Sequence, residues 1–93
     1  MKLKQVSGED RRKVVLFALS TCGWCKKTKR LLNDLGVAYS YVDVDQAEED
    51  EKAEAVEQLK KWNPRSSFPT LVIDDKRCIV GFKEDEIKEA VKK

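Results

Sequence analysis

The sequence predicts an α/β fold, a mixed four-stranded sheet flanked by helices on both faces, in the order β-α-β-α-β-β-α. Three observations carry this expectation. KVVLFAL (13–19) is a continuous apolar run rich in Val, Leu and Phe, as in a strand covered on both faces. It is separated from a second strand pattern by a helical one, so the two strands are expected to run parallel with a right-handed crossover. TLVI (70–73) and RCIV (77–80) are separated only by DDK, which reads as an antiparallel hairpin.

After the first strand, Trp24, Thr28, Leu31, Leu32 and Leu35 recur at spacings of three and four, with Lys26, Lys27, Lys29, Arg30 and Asp34 on the other side. That is an amphipathic helix, and Gly36 is placed to end it in a left-handed cap. VAYSYVDV (37–44) is aromatic and β-branched, a second strand. Asp45 and Glu48 have the spacing of a capping box. The acidic run 48–51 opens the next helix and Lys60 and Lys61 close it, both complementing the macrodipole. Val56, Leu59 and Trp62 give that helix a thin apolar stripe. NPRSSFP (63–69) breaks the pattern before the hairpin. Gly81 interrupts after it, and KEDEIKEAVKK (83–93) forms a last helix with Ile87, Ala90 and Val91 inward. Residues 13–93 are expected to make one domain. Residues 1–12 are an N-terminal extension in which LKQVSG alternates weakly, consistent with an extra edge strand or a tail.

A chain of 93 residues supports one modest core. Charged residues make up 39%, but the signs nearly balance at a net +2, without the basic footprint of a nucleic-acid binder. No apolar run approaches the roughly 20 residues of a membrane span, and the N-terminus has no signal-peptide pattern. A cytoplasmic, reducing location is therefore expected, where a permanent disulfide is disfavoured and a transient one is not. There is no histidine, which excludes Ser–His and Cys–His nucleophile pairs within the chain.

The chemistry concentrates in LSTCGWCKKTKRLL (19–32), which holds Cys22 and Cys25. A structural zinc site needs four ligands, and Cys78 is the only further candidate, so one chain cannot close it. A permanent two-residue disulfide loop would constrain the unfolded chain little. A C-x-x-C beside a β-α-β pattern points instead to a redox pair. Cys22 follows the first strand and opens the first helix, where a thiolate meets unpaired backbone N–H groups and the positive end of the dipole. Lys26 and Lys27 are candidates to stabilise it further. Cys25, one turn in, is expected to stay a thiol. Gly23 lets that turn tighten toward disulfide geometry. In the resulting cycle the Cys22 thiolate attacks a substrate disulfide, and Cys25 then resolves the mixed disulfide. Trp24 is either a cap on the core edge or an exposed aromatic that touches substrate. Cys78 reads as a small buried strand residue, and the basic group 26–30 as a solvated helix face that can also steer an acidic partner.

These residues resemble the glutaredoxin family of the thioredoxin-like superfamily, over about residue 13 to the C-terminus. TCGWC looks like the family's Thr-Cys-Pro-Tyr-Cys motif, SSFPT like its Thr-Val-Pro segment, and VGFKEDEI like its C-terminal Gly-Gly-x-Asp region. The resemblance implies a thiol-disulfide oxidoreductase that reduces protein disulfides as a monomer, with no tightly bound cofactor or metal. Cys22 would be the nucleophile and Cys25 the resolving thiol. Pro69 would be the family's cis-proline, and Phe68 would offer its backbone to an extended substrate. Trp24, Gly81 and Phe82 complete the implied substrate site. Leu19 stands where many members place a cation, and Phe82 where they have a second glycine. Gly-Phe followed by a basic residue is similar to the redoxins that serve ribonucleotide reductase. The electron donor implied is thus glutathione or a thioredoxin reductase system. Gly23 in place of proline is similar to glutaredoxins that bridge an iron–sulfur cluster as dimers, which implies the alternative role of cluster carrier.

Overall fold

The computed structural model describes residues 2–92. Its elements are β1 (Lys4–Val6), β2 (Val14–Ala18), α1 (Gly23–Asp34), β3 (Tyr39–Asp43), a 3-10 turn (Val44–Gln46), α2 (Glu49–Trp62), β4 (Thr70–Ile73), β5 (Arg77–Val80) and α3 (Glu84–Ala90). The sheet has five strands in the order β1-β3-β2-β4-β5. β2 and β3 are parallel, and β1–β3, β2–β4 and β4–β5 are antiparallel. The N-terminal extension therefore supplies the edge strand, with Lys4 opposite Tyr41 and Val6 opposite Tyr39. No helix among the described residues is long and apolar enough to cross a membrane.

Alternation along β2 splits the core into two layers. Val14, Leu16 and Ala18 join Leu32 of α1 and Ile87, Ala90 and Val91 of α3 on one face. Phe17 joins Ala55 and Leu59 of α2 on the other, with Val42 and Val72 from the neighbouring strands. Full burial of a Leu or Ile is worth about 1.5–3 kcal/mol, so these two layers hold the helices to the sheet.

Local chemistry sets the ends of α1. Gly36 sits at φ +70, Gly36 N–H donates to the Asn33 carbonyl at 3.0 Å, and Val37 N–H donates to the Leu32 carbonyl at 3.3 Å. That is the Schellman pattern, with Val37 and Leu32 buried together. In the hairpin turn, Asp74 and Asp75 both have positive φ (54 and 53), as a two-residue turn of the primed type requires. Asp74 also accepts the Lys13 N–H at 3.0 Å, tying the turn to the start of β2.

Two expectations change. The second strand is shorter than 37–44. Its first residues are diverted to the N-terminal extension, where Glu9 N–H donates to the Gly36 carbonyl at 2.7 Å and Ala38 N–H to the Glu9 carbonyl at 2.9 Å. Its last residue, Val44, starts the 3-10 turn. That turn also undoes the capping box. Glu48 caps α2 without a side-chain bond, while Asp45 accepts both the backbone N–H (2.8 Å) and the hydroxyl of Ser20. Asp45 thus clamps the loop between β2 and α1.

Gly8 is where the extension meets residues 36–38. A Cβ there would lie 2.6 Å from Ala38 N and from the Val37 carbonyl carbon, and 2.8 Å from the Gly36 oxygen. These are backbone atoms that cannot rotate away. Gly8→Ala is expected to destabilise by about 1–3 kcal/mol, measured by thermal unfolding. An unchanged midpoint would show that this contact does not constrain the fold.

The Ser20 hydroxyl first, and the Ser20 N–H second, hold the Asp45 carboxyl below its ordinary 3.8. A depressed carboxylate stabilises the fold above its unfolded-state value, and that contribution is lost as pH falls through the lower folded-state value. Asp45→Ala should therefore be less stable than the parent at neutral pH, with the gap closing below 3.8. Denaturant unfolding at both pH values measures it, and a gap independent of pH would remove Asp45 as the clamp.

Candidate active site

Strand β2 ends at Ala18, and four residues later Cys22 is the N-cap of α1, with φ −82 and ψ 117. Cys22 N–H donates to the Leu19 carbonyl at 3.2 Å, closing the turn. The Cys22 Sγ accepts the backbone N–H of Cys25 at 3.2 Å, so sulfur takes the place an N-cap oxygen usually fills. The two sulfurs differ in environment. Cys22 is half-buried, whereas Cys25 has no exposure and belongs to the core layer under α1. Burial first, and its hydrogen bond to Cys22 second, push the Cys25 thiol up to about 12. Cys25 is thus held protonated beside Cys22. The first turn of α1 has no acidic residue, while α2 opens with Glu49, Asp50 and Glu51 and α3 with Glu84, Asp85 and Glu86. The positive end of the α1 dipole is therefore left uncompensated at Cys22.

Two residues after Cys22, Trp24 forms one wall of a shallow depression of about 220 Å³, lined also by Phe68, Pro69, Gly81 and Phe82. These are the five residues singled out in the sequence, drawn from three separated segments. The Phe68–Pro69 bond is cis and Gly81 has φ +87. Gly81 N–H donates to the Pro69 carbonyl at 2.8 Å, locking the two loops together. Trp24 is 57% exposed and stacks on Phe82 with ring centres 5.9 Å apart. It is the exposed aromatic, not a cap on the core. Among the described residues, neither the N–H nor the C=O of Phe68 has a partner within the chain, which leaves an open backbone edge at the depression.

The lysines are arranged differently from the expectation. Lys27 lies over the Trp24 ring, with Nζ 4.5 Å from its centre, and Lys26 is exposed; no hydrogen bond joins either to Cys22 among the described residues. The lysine whose charge acts on Cys25 is Lys29, which also pairs with Asp43 at 2.9 Å and covers the Tyr41 ring. It is not part of a solvated face. Cys78 is half-buried on edge strand β5, not fully buried, and burial raises its thiol. Leu19 packs half-buried against the layer under α2. No group of three or more His, Cys, Asp or Glu that could hold a metal ion occurs among the described residues.

Sequence reasoning missed the supports of the Pro69 loop. Asn63, buried at the end of α2, donates from Nδ2 to the Ser67 hydroxyl at 2.9 Å and to the Thr70 hydroxyl at 3.1 Å. Thr70 in turn donates to the Ser67 carbonyl at 2.8 Å. Asn-Pro signals a turn, and Asn63 does accept from the Arg65 N–H. Nothing in the spacing shows that its amide also reaches Thr70.

The glutaredoxin family model matches residues 14–78. An uncharacterised glutaredoxin-like 8.6 kDa protein in the rubredoxin operon of Clostridium pasteurianum is 34% identical over 80 residues, covering 86% of this chain and 99% of that one. The crystal structure of a glutaredoxin from Methanosarcina mazei Go1 matches at TM-score 0.89 and 55% identity, over 98% of this chain and 88% of that one. That of methanoredoxin from Methanosarcina acetivorans matches at 0.90 and 54%, over 98% and 95%. With the C-x-x-C at a helix start, the cis proline beside it and this agreement along nearly the whole length, the chain belongs to the glutaredoxin family and has its thioredoxin-like fold.

Proposed function

We propose that this chain is a dithiol-disulfide oxidoreductase that reduces protein disulfides through Cys22 and Cys25. The observation that carries the reading is the asymmetry of the pair: an accessible sulfur at the helix start, and a buried thiol pushed up to about 12 one turn behind it. The Cys22 thiolate attacks one sulfur of the substrate disulfide. That S–S bond breaks, a mixed disulfide forms, and the first substrate sulfur leaves as thiolate. Cys25 gives up its proton, attacks the Cys22 sulfur and expels the second substrate sulfur. The substrate gains two electrons, one proton comes from Cys25 and the other from solvent, and Cys22–Cys25 is left as a disulfide. The open Phe68 backbone pairs with the extended substrate, and Trp24 and Phe82 cover its side chains. Lys26 and Lys27 act through their field on the Cys22 thiolate rather than through a bond. A thiol reductant, glutathione or a thioredoxin reductase system, returns the pair to the dithiol.

Cys22→Ser should abolish reductase activity, and Cys25→Ser should accumulate mixed disulfides visible by mass spectrometry. In the reduced parent at neutral pH, iodoacetamide should label Cys22 and leave Cys25 untouched. Labelling of Cys25 first would reverse the roles.

Glutathione is expected to bind weakly. Leu19 is committed to packing where a charged contact would serve the tripeptide's carboxylate, and Phe82 occupies one wall of the depression. A missing charge-assisted contact costs about 1.5–3 kcal/mol, or roughly 10- to 150-fold in affinity. Chemical-shift titration of the reduced protein with glutathione should show Leu19→Lys binding at least about 10-fold tighter than the parent. A parent that saturates at tens of micromolar, with no gain from the lysine, would make glutathione the ordinary donor.

A further inference from the structure

The basic side of α1 borders the depression at Trp24. A groove of about 350 Å³ runs along the helix, lined by Lys26, Lys27, Lys29, Arg30 and Asn33. Lys29 is neutralised by Asp43. Lys26, Lys27 and Arg30 have no acidic partner among the described residues, although the chain carries 17 Asp and Glu. Apart from Asp43 on Lys29 and Asp34 at the far end of α1, the acids lie elsewhere, many of them at the starts of α2 and α3. The first turn of α1 has none, so the groove's cations add to the positive end of the helix instead of cancelling it. The groove and the depression are neighbours through Trp24, because Lys27 lies over its ring and Trp24 stacks on Phe82.

We propose that this groove selects protein disulfides whose reactive cysteine is flanked by acidic residues. The inference rests on the oxidoreductase reading and names its substrate class. A peptide seated on the Phe68 backbone with its sulfur at Cys22 passes Trp24 and Phe82, and an acidic flank then meets Lys26, Lys27 and Arg30. The chemistry is unchanged; the groove raises the encounter rate and fixes the direction in which the peptide lies.

The test mixes reduced protein with disulfide-linked peptides in single turnover, so no external reductant enters. Two peptides share a sequence except for three residues beside the cysteine, Glu in one and Gln in the other. Bis(2-hydroxyethyl) disulfide is the small neutral probe. The Glu peptide should react about 10-fold or more faster than the Gln peptide at low salt, with the ratio falling toward one at about 0.5 M salt. Arg30→Glu, and Lys27→Glu separately, should each lower that ratio. Comparison within each variant cancels any general change in reactivity, and the salt series on the parent stands even where a variant folds poorly. Equal rates for the two peptides, or a preference for Gln, with the small disulfide still reduced, would overturn the groove proposal alone. Failure to reduce the small disulfide would overturn the oxidoreductase reading and this inference with it.

Discussion

Strand β2 is the constraint on which the remaining structure depends. It is hydrogen-bonded on both edges, parallel to β3 and antiparallel to β4, and both of its faces are covered. It therefore has no freedom to slip, since a one-residue shift would exchange its two faces. Its register then places the site. Phe17 pairs with Thr70, so the chain leaving β2 toward Cys22 runs beside the chain entering β4 through Pro69. Thr70 also pairs with Val80, so Gly81 and Phe82 follow at the same end of the sheet. Three segments far apart in sequence meet because two strand registers meet at one residue.

What the register brings together, polar contacts then hold. The Cys22 loop is pinned by Asp45 on Ser20 and the Pro69 loop by Asn63 on Ser67 and Thr70. Both supports come from segments flanking α2, on the face of the sheet opposite α1. Reactivity is divided by depth. The helix that exposes Cys22 at its cap carries Cys25 one turn inward, into the layer with Leu32 and Ile87. Burial disfavours the charged form of Cys25 and keeps it a thiol.

Much of this was legible before the structure. The apolar run at 13–19, the hairpin spacing at 70–80 and Gly36 marked real elements, because each is a local signal with a local cause. Trp24 and the segments around Pro69 and Gly81 do line one depression, although only their resemblance to a family motif placed them together. What the sequence did not show is where particular side chains reach. Asp45 has capping-box spacing, but a 3-10 turn aims it at a residue 25 positions earlier. Lys27 lies over the Trp24 ring, a contact that its place in the sequence did not announce. Asn63 reaches Ser67 and Thr70 within its own loop and Gly8 meets residues 36–38 across the fold, contacts that no spacing encodes.

The placement of charge has a cost that bears on its purpose. Cations near a helix start and an uncompensated dipole each cost about 0.3–1 kcal/mol, and an exposed Trp forgoes burial that its size would otherwise contribute. The same chain places acids first in both α2 and α3 and uses lysines at the end of α2, so the usual arrangement is available to it. α1 alone reverses it, at the end that carries Cys22. Burial of Leu32 on the opposite side of that helix, at about 1.5–3 kcal/mol, is enough to absorb the penalty. The core thus supports a helix whose exposed start is unfavourable for folding and favourable for negative charge.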